Sequence, residues 1–319
     1  MKKSLLAILL FMLFFLAACG GNEQENDDNT EESNTEDTSE FSPVTVEGEN
    51  GEVTISEKPE RIIAPYMEDA LVALGVKPVA QWFLGGSPQE YLQDELADVD
   101  TIEWNMPLEQ TLSYEPDLLI LSALDNMEGQ LSDYENIATT YVFKPEDLAD
   151  VRKQVTIVGK LLGKEQEAED RIDQYEEKIA SAKEALSDTV GEETVAVLWA
   201  IGGDQYFMFE QDRHTGEVIY GELGLKPSPL TVELGEAEET WNPISLEKIA
   251  ELETDHLFLL GGEEDAAGIQ TLQNSEVYKS LPVVQNEQVY RITDASNWTN
   301  RGIVAFEKTV DDILEAFGE

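Results

Sequence analysis

Residues 59–82 read PERIIAPYMEDALVALGVKPVAQW, and this stretch indicates the class of fold. Residues 61–64, RIIA, are typical of a buried strand, and residues 68–74 have a helical pattern that Gly75 ends. A second strand is predicted at 79–82. Strand, helix and strand in this order predict a mainly parallel sheet with helices on both faces, which is the α/β class.

Further elements are predicted on both sides of this stretch. Before it, two alternating apolar segments flank Asn50-Gly51, a pair of residues that favours a β-hairpin. With 319 residues, the chain is long enough for two lobes with their own cores. The further predicted elements are helices at 108–113, 217–223, 246–252 and 303–317, and strands at 117–121, 195–199, 257–260 and 288–292.

A long amphipathic pattern separates the two sets of elements. Apolar residues between 151 and 186 recur every three or four positions, which predicts a helix with one buried stripe, and Gly163 interrupts it. A free coiled coil is the alternative, but the pattern is short and Gly191 follows it. The sequence therefore predicts two β/α lobes, at 42–150 and 190–319, joined by a long helix at 151–189.

One segment of the sequence occurs twice. LEQTLSYEPDLLIL at 108–121 aligns without gaps with LEKIAELETDHLFL at 246–259, and six of the 14 positions are identical. Helix–turn–strand units share composition, so a chance similarity is the alternative. We expect instead a structural equivalence between the two lobes, with one copy of the unit in each.

The first 41 residues are predicted to be an export signal and a tether rather than part of the fold. Two lysines, an apolar run and Leu16-Ala17-Ala18-Cys19 are typical of a signal peptide at 1–18 followed by a lipidated cysteine. The alternative is an ordinary signal peptide with a coincidental cysteine. Residues 22–40 contain nine acidic residues and no basic or apolar one, so 19–41 is predicted to be a disordered tether.

The composition of the chain excludes several kinds of partner and site. The chain has 67 acidic and 20 basic residues, a net charge of −47, which rules out nucleic acid because phosphates need a basic surface. Cys19 is the only cysteine, so no disulfide can form within the chain. Only two histidines are present, which argues against a histidine-rich transition-metal site, and we predict no resident metal or cofactor.

The sequence offers little support for an enzyme. Gly159–Lys164 resembles a phosphate-binding loop, but its glycines are too close together and Glu165 stands where serine or threonine is required. No Gly-x-Ser-x-Gly motif is present. We therefore predict no catalytic residues, and an anchored surface enzyme and an adhesive surface lipoprotein are kept only as alternatives.

Aromatic and cationic residues at strand ends and in loops are candidates for ligand binding. Trp82 and Trp199 lie at the carboxyl ends of predicted strands, where open α/β sheets bind ligands. Flat aromatic walls with a few cations suit a bulky ligand with anionic oxygens. The alternatives are core packing for each tryptophan and a surface ion pair for Arg213. The predicted ligand-binding residues are Tyr66, Trp82, Trp199, Tyr206, Arg213, Trp241, Trp298 and Arg301.

Five segments of the chain are similar to one known family: 59–82, PLEQTLSYEPDLLIL at 107–121, GEVIYGELGLKPS at 216–228, ISLEKIAELETDHLFLL at 244–260 and VYRITDASNWTNRGIVAFEKTVDDI at 289–313. On these segments, over about residues 42–317, the chain resembles the substrate-binding lipoproteins of ABC transporters, in particular the iron-siderophore and cobalamin group. This resemblance implies a ligand cleft between the lobes. It also implies docking onto a permease through Glu109 and Glu247, one in the first turn of each repeated helix, although both also favour a helix N-terminus electrostatically.

The same resemblance implies the partners and the location. The protein is expected to be a monomer, held at the outer face of a Gram-positive cell membrane by the lipid on Cys19, that delivers a ferric siderophore to an ABC permease. Few cleft cations favour a hydroxamate or citrate-hydroxamate siderophore over a catecholate, with iron held by the siderophore. Cobalamin is one alternative, and haem is another, with Met67, Met208 or His214 as an axial ligand.

Overall fold

A computed structural model describes residues 41–84, 87–124, 127–202, 205–236, 241–262 and 265–319. Phe41–Glu319 is a single structural unit. The predicted signal peptide, the lipidation of Cys19 and the tether up to residue 40 lie outside the described residues. Phe41, the last residue assigned to the tether, packs against the core, where its ring lies next to Gly163.

The chain before residue 151 forms a hairpin and a mainly parallel sheet. The strands are β1 (Val44–Gly48), β2 (Gly51–Ile55), β3 (Ile62–Ile63), β4 (Gln81–Leu84), β5 (Ser87–Pro88), β6 (Thr101–Glu103), β7 (Leu118–Leu121) and β8 (Thr139–Val142). β3, β7 and β8 pair in parallel, β4 pairs in parallel with β6 and antiparallel with β5, and a bridge between Ile63 and Ala80 links the two sets. The helices are α1 (Glu68–Ala73), α2 (Gln93–Leu96), α3 (Leu108–Ser113), α4 (Leu131–Glu135) and α5 (Pro145–Leu148), with a 3-10 turn at Glu90–Leu92.

The hairpin predicted around Asn50-Gly51 is confirmed. β1 and β2 pair antiparallel, and Glu49 and Asn50 form the two-residue loop between them. The Asn50 side chain joins this loop to β8, because its Nδ2 donates to the carbonyl of Thr140 and its Oδ1 accepts the N–H of Val142. The hairpin is therefore fastened to the edge of the parallel sheet.

Two helices connect the two halves of the chain, α6 (Val151–Leu162) and α7 (Glu165–Thr189). Gly163 ends α6 in the left-handed region, at a φ of 64°, so the predicted interruption is confirmed. The 25 residues of α7 span about 37 Å at 1.5 Å per residue, which makes it the long helix of the fold. Its buried residues follow the predicted stripe: Ala168, Tyr175, Ile179, Ala182 and Leu186.

The chain after α7 forms a second sheet. Its strands are β9 (Thr194–Ile201), β10 (Gln205–Met208), β11 (Lys226–Pro227), β12 (Asn242–Pro243), β13 (His256–Leu260) and β14 (Val289–Ile292), in the order β12-β10-β9-β13-β14 with β11 beside β9. β13 runs parallel to β9 and β14, whereas β10 is antiparallel to β9. The helices are α8 (Pro229–Leu234), α9 (Leu246–Ile249), α10 (Ala266–Asn274), α11 (Glu276–Ser280), α12 (Pro282–Gln285) and α13 (Ile303–Phe317). The helix predicted at 217–223 is a π-helix, Glu217–Glu222.

The repeated segment has the same structure in both halves. α3 precedes β7 and α9 precedes β13, and each of these strands lies between two parallel neighbours. The Asp117 carboxylate accepts the backbone N–H of Arg61, and the matching carboxylate of Asp255 accepts the backbone N–H of Thr194. The expected structural equivalence is therefore confirmed down to one side-chain contact.

The cores show how the halves combine. One large cluster contains buried side chains from β3, β7, β9 and β13 together with α1, α6, α7 and α13, and smaller clusters cover the other faces of the two sheets. The predicted fold class is confirmed, with two β/α lobes and helices between them. Within the described ranges, no helix is long and apolar enough to cross a membrane.

Candidate functional site

The first aromatic group, Tyr66 and Trp82, lies in the first lobe. Tyr66 follows β3 with a φ of 66° and is 44% exposed, whereas Trp82 belongs to β4 and is 7% exposed. Their ring centroids are 4.1 Å apart. Tyr66 therefore covers Trp82 and presents an aromatic ring to solvent from a backbone conformation that is uncommon outside glycine.

A buried carboxyl group lies behind this pair. Glu68 is 1% exposed, and its Oε1 accepts the backbone N–H of Trp82 at 2.7 Å. Burial raises the pKa of Glu68 from its ordinary value of 4.5 to about 7, against the lowering effect of backbone hydrogen bonds. Neither Oε2 of Glu68 nor Nε1 of Trp82 has a hydrogen-bond partner among the described residues.

The second aromatic group, Trp199, Phe207, Trp241 and His214, lies in the second lobe. Trp199 in β9 pairs with Phe207 in β10, so both side chains leave the same face of the sheet. The ring centroid of Trp241 is 5.2 Å from that of Trp199 and 4.6 Å from that of His214, which stacks on it at 20°. In the part of the chain that the structure describes, neither His214 ring nitrogen has a hydrogen-bond partner.

Two arginines flank the imidazole of His214. Arg213 forms an ion pair with the buried Glu210, with 3.2 Å between Nη1 and Oε1, and Arg301 forms an ion pair with Glu217. Burial, together with the positive charges of both arginines, lowers the pKa of His214 from its ordinary value of 6.5 to about 4. The imidazole is therefore neutral at pH 7, and both guanidinium groups lie close to it.

The structure leaves two of the predicted ligand residues outside these groups. Tyr206 is 4% exposed and packs in the core on the face of β10 opposite to Phe207, because side chains alternate along a strand. Trp298 is completely buried, and its indole N–H donates to Oδ2 of Asp312 at 2.7 Å. Core packing, the alternative considered for tryptophan, describes Trp298.

Other residues of the site were missed or considered only for another role. Phe207 and Glu68 had no signal in the sequence, because β10 was not predicted and one carboxylate among 67 acidic residues does not stand out. His214 was considered only as a haem ligand. The other two haem candidates, Met67 and Met208, are 3% and 0% exposed in the cores.

The two aromatic groups stand at equivalent ends of the two sheets. Tyr66 follows the carboxyl end of β3, and Trp199 lies near the carboxyl end of β9. These strands are equivalent, because each pairs in parallel with the central strand of the repeated unit. Ligands of α/β proteins bind at this edge. Contacts between the start of α13 and Asp69 of α1 hold the two lobes together beside it.

A groove of about 830 Å³ lies elsewhere, between the 3-10 turn of the first lobe and β14 and α13 of the second. None of the predicted ligand residues lines it. Its walls carry more acidic than basic side chains, and Lys308 approaches Asp94 across it at 3.6 Å. The described residues contain no group of three or more His, Cys, Asp or Glu that could hold a metal ion.

Glu109 and Glu247 lie at equivalent positions on the two lobes. Each belongs to the first turn of its helix, α3 or α9, and each side chain is exposed. Within the described ranges, neither carboxylate takes part in an ion pair. The two lobes thus present a matched pair of acidic side chains, each on a copy of the repeated unit.

Two lobes, each with an aromatic group at the carboxyl end of its sheet, are typical of a ligand-binding α/β protein. Comparison with known proteins gives the family. A family model described as "Periplasmic binding protein" matches residues 67–295. The chain therefore belongs to this family, whose members are solute-binding components of transport systems rather than enzymes.

Individual proteins of known name are similar to the chain at low sequence identity. The chain is 27% identical over 258 residues to the iron(3+)-hydroxamate-binding protein FhuD of Bacillus subtilis (strain 168), covering 78% of each chain. It is 24% identical over 284 residues to the Fe(3+)-citrate-binding protein YfmC of the same organism, covering 85% of this chain and 84% of that one. Among solved structures, Staphylococcus aureus SirA complexed with staphyloferrin B matches with a TM-score of 0.70 at 24% identity, covering 86% of this chain and 98% of that one. The last comparison shows the shared fold.

Proposed function

We propose that the chain is an extracytoplasmic solute-binding lipoprotein that captures a ferric siderophore and delivers it to an ABC permease. The observation that carries this proposal is the presence of an aromatic group on each lobe, with Arg213 and Arg301 beside the second. Flat aromatic surfaces bind bulky organic ligands, and guanidinium groups bind their oxygens. The printed names of the relatives, which bind iron(3+)-hydroxamate and Fe(3+)-citrate, support this ligand class.

The charges at the site favour a neutral or weakly anionic ligand. Arg213 and Arg301 are each balanced by a glutamate, Glu210 and Glu217, so the two ion pairs together carry no net charge. A ferric catecholate is highly anionic and would need unbalanced basic side chains. A ferric hydroxamate or a citrate-hydroxamate complex fits better, and the siderophore rather than the protein holds the iron.

Haem is the second candidate ligand, and one observation favours it. His214 presents a neutral imidazole with no hydrogen-bond partner among the described residues, which is the state that ligates iron. Its ring, however, stacks on Trp241 at 4.6 Å, so an axial bond would have to form at the edge of a stacked pair. Cobalamin, a bulky ligand of the same transporter class, is a further outcome of the binding test.

We further propose that lipid on Cys19 holds a monomeric protein at the outer face of a Gram-positive cell membrane, with residues 19–41 as the tether. The sequence before Cys19 supports this proposal. A Cys19→Ala variant is expected to appear in the culture medium or the soluble fraction, whereas the wild type sediments with membranes. Membrane association of the variant at the wild-type level would refute the lipid anchor.

The proposed ligand is tested by tryptophan fluorescence of the full-length protein in detergent. The panel is a ferric hydroxamate, a ferric citrate-type siderophore, a ferric catecholate, haem and cobalamin. We expect saturable quenching by the hydroxamate or the citrate-type complex at sub-micromolar concentration, because Trp82, Trp199 and Trp241 lie in the two aromatic groups. Saturable quenching by haem or cobalamin alone would replace the siderophore. No saturable quenching by any compound would overturn the function.

A further inference from the structure

A side chain of the first lobe binds the start of the last helix. Asp69 belongs to α1 and is 2% exposed. Its Oδ1 accepts the backbone N–H of Val304 at 3.0 Å, and its Oδ2 accepts that of Ala305 at 2.9 Å. These donors have no partner within their own helix, and a carboxylate at this end also interacts favourably with the helix dipole. The contact joins residues 235 positions apart in the sequence.

Gly302, the residue before α13, leaves space for this contact because it has no side chain. Gly302 lies so close to Asp69 that a β-carbon at position 302 would overlap the carboxyl group. The φ of Gly302 is 174°, an extended conformation that other residues adopt freely, so its backbone does not require glycine. The absence of a side chain at 302 is therefore explained by the approach of Asp69 alone.

Further polar contacts continue between the same segments. The Tyr91 hydroxyl donates to Oδ2 of Asp69 at 3.1 Å, and the Tyr91 backbone N–H donates to the hydroxyl of Ser296 at 3.0 Å. Nε2 of Gln89 donates to Oδ1 of Asn300 at 3.1 Å. The loop from 296 to 302 therefore contacts the first lobe at Ser296, Asn300 and Gly302.

The loop from 296 to 302 contains Arg301, one of the two arginines beside His214. Arg301 immediately precedes Gly302 and pairs with Glu217 beside the second aromatic group. Tyr66 of the first aromatic group lies three residues before Asp69. We propose that Asp69 is a positioning residue of the ligand site, which holds Arg301 at a set distance from the Tyr66–Trp82 wall by anchoring the start of α13. This role rests on the proposed function.

The expected consequence is a loss of ligand affinity rather than a loss of fold. A site whose walls are held before binding loses less conformational freedom on binding, so releasing the contact weakens the complex. We expect Asp69→Asn, which keeps the shape but replaces one acceptor by a donor, to weaken binding of the ferric hydroxamate at least tenfold.

The contact itself is tested without ligand by a mutant cycle in the full-length protein. Gly302→Ala alone is expected to lower the urea midpoint and to speed hydrogen exchange of the Val304 and Ala305 amides, because the new methyl group displaces Asp69. In the Asp69→Ala background the same methyl group has space, so the added loss is expected to be small. Additive losses would overturn the contact.

The positioning role is tested by titration with the ferric hydroxamate. The control is Glu307→Gln, which removes an ion pair between Arg171 of α7 and α13 but leaves Asp69 unchanged. We expect Asp69→Asn to lose affinity and Glu307→Gln to keep it. We also expect Asp69→Asn to add little to the loss caused by Arg301→Ala, because Asp69 acts through Arg301.

The outcomes separate this role from the proposed function. The role alone would be overturned, with the wild type still binding, by any of three results. Asp69→Asn could keep its affinity, Asp69→Asn and Glu307→Gln could lose affinity equally, or the affinity losses of Asp69→Asn and Arg301→Ala could be additive. Absence of binding by the wild type to every compound of the panel would overturn the function and the role together. The ligand-free cycle reports on the contact in either case.

Discussion

The carboxyl group of Glu68 is buried, which disfavours its ionised form. It is buried behind Tyr66, and its pKa is raised to about 7 chiefly by burial. Below about pH 4.5 it is protonated in both the folded and the unfolded chain. Between pH 4.5 and 7 only the unfolded chain releases the proton, so the free energy of unfolding falls as pH rises through this window.

This linkage predicts the behaviour of Glu68→Gln, which cannot ionise. Relative to this variant, the wild type should lose roughly 3 kcal/mol of unfolding free energy between pH 4.5 and 8, because the pKa of Glu68 in the folded chain lies about 2.5 above its ordinary value. Urea unfolding at pH 4.5, 6 and 8 measures the difference. The lowered pKa of His214 acts in the opposite direction but is present in both proteins, so it cancels. Parallel pH profiles for the two proteins would show that Glu68 titrates normally.

Phe207 and Tyr206 are neighbours in β10, but their side chains lie on opposite faces of the sheet. The sequence identified Tyr206 by its type, but β10 points Tyr206 into the core and Phe207 toward Trp199. Alternation along β10 would have distinguished them, but the strand is only four residues long and was not predicted. A chemically suitable residue type therefore locates a site only to within its strand, because the pleat decides which neighbour faces the ligand.

We expect Phe207→Ala to weaken binding of the siderophore about tenfold, which is the order of an aromatic contact. Tyr206→Phe is the matched control, because it keeps a ring on the opposite face of the same strand. Fluorescence titration of both variants with the ferric hydroxamate measures the effect. Equal affinity of Phe207→Ala and the wild type would remove Phe207 from the ligand site.

The elements of the fold were predicted where local patterns are strong. The hairpin, the helices at 108–113 and 303–317 and the break at Gly163 all follow from turn residues and periodicity. A helix is predicted at 217–223, but its π geometry has no local signal, and neither do the two-residue strands β11 and β12. The hydrogen bonds of these strands are set by tertiary neighbours. Contacts such as Asp69 with α13 are equally invisible in the sequence.

The repeated unit predicts matched effects in its two copies. Asp117 accepts the backbone N–H groups of Glu60 and Arg61, and Asp255 accepts the N–H and hydroxyl of Thr194. Asp117→Ala and Asp255→Ala should each lower the free energy of unfolding by about 1 kcal/mol, because each leaves strand-end donors without a protein acceptor.

Urea unfolding measures these losses, and a second pair of matched residues provides the control. Glu115 and Glu253 are equivalent in the repeat, and both are exposed. Glu115→Gln and Glu253→Gln keep the side-chain size and should change stability little. A large loss in one aspartate variant with none in the other would contradict the equivalence of the two copies.

At the scale of the whole molecule, the repeat gives each lobe one helix with an acidic first turn. The long helix α7 and the Asp69 contact both connect the lobes, so we expect Glu109 and Glu247 to keep a nearly constant spacing. We propose that this spacing matches basic side chains on a two-fold permease. Long side chains on α3 and α9 can engage a partner without altering the aromatic groups, which belong to other elements.

This separation predicts that transport and binding fail independently. The double variant Glu109→Ala, Glu247→Ala should abolish uptake of the iron-loaded siderophore by whole cells, while the purified protein keeps wild-type affinity in fluorescence titration. The Glu115→Gln, Glu253→Gln double variant is the control, because it removes the same number of exposed charges from the same repeat but outside the two helices. Weakened ligand binding in the alanine variant would contradict a docking role, and full uptake would show that the permease contacts another surface. Loss of uptake in both variants would mean that the acidic surface as a whole, rather than two equivalent glutamates, attracts the permease.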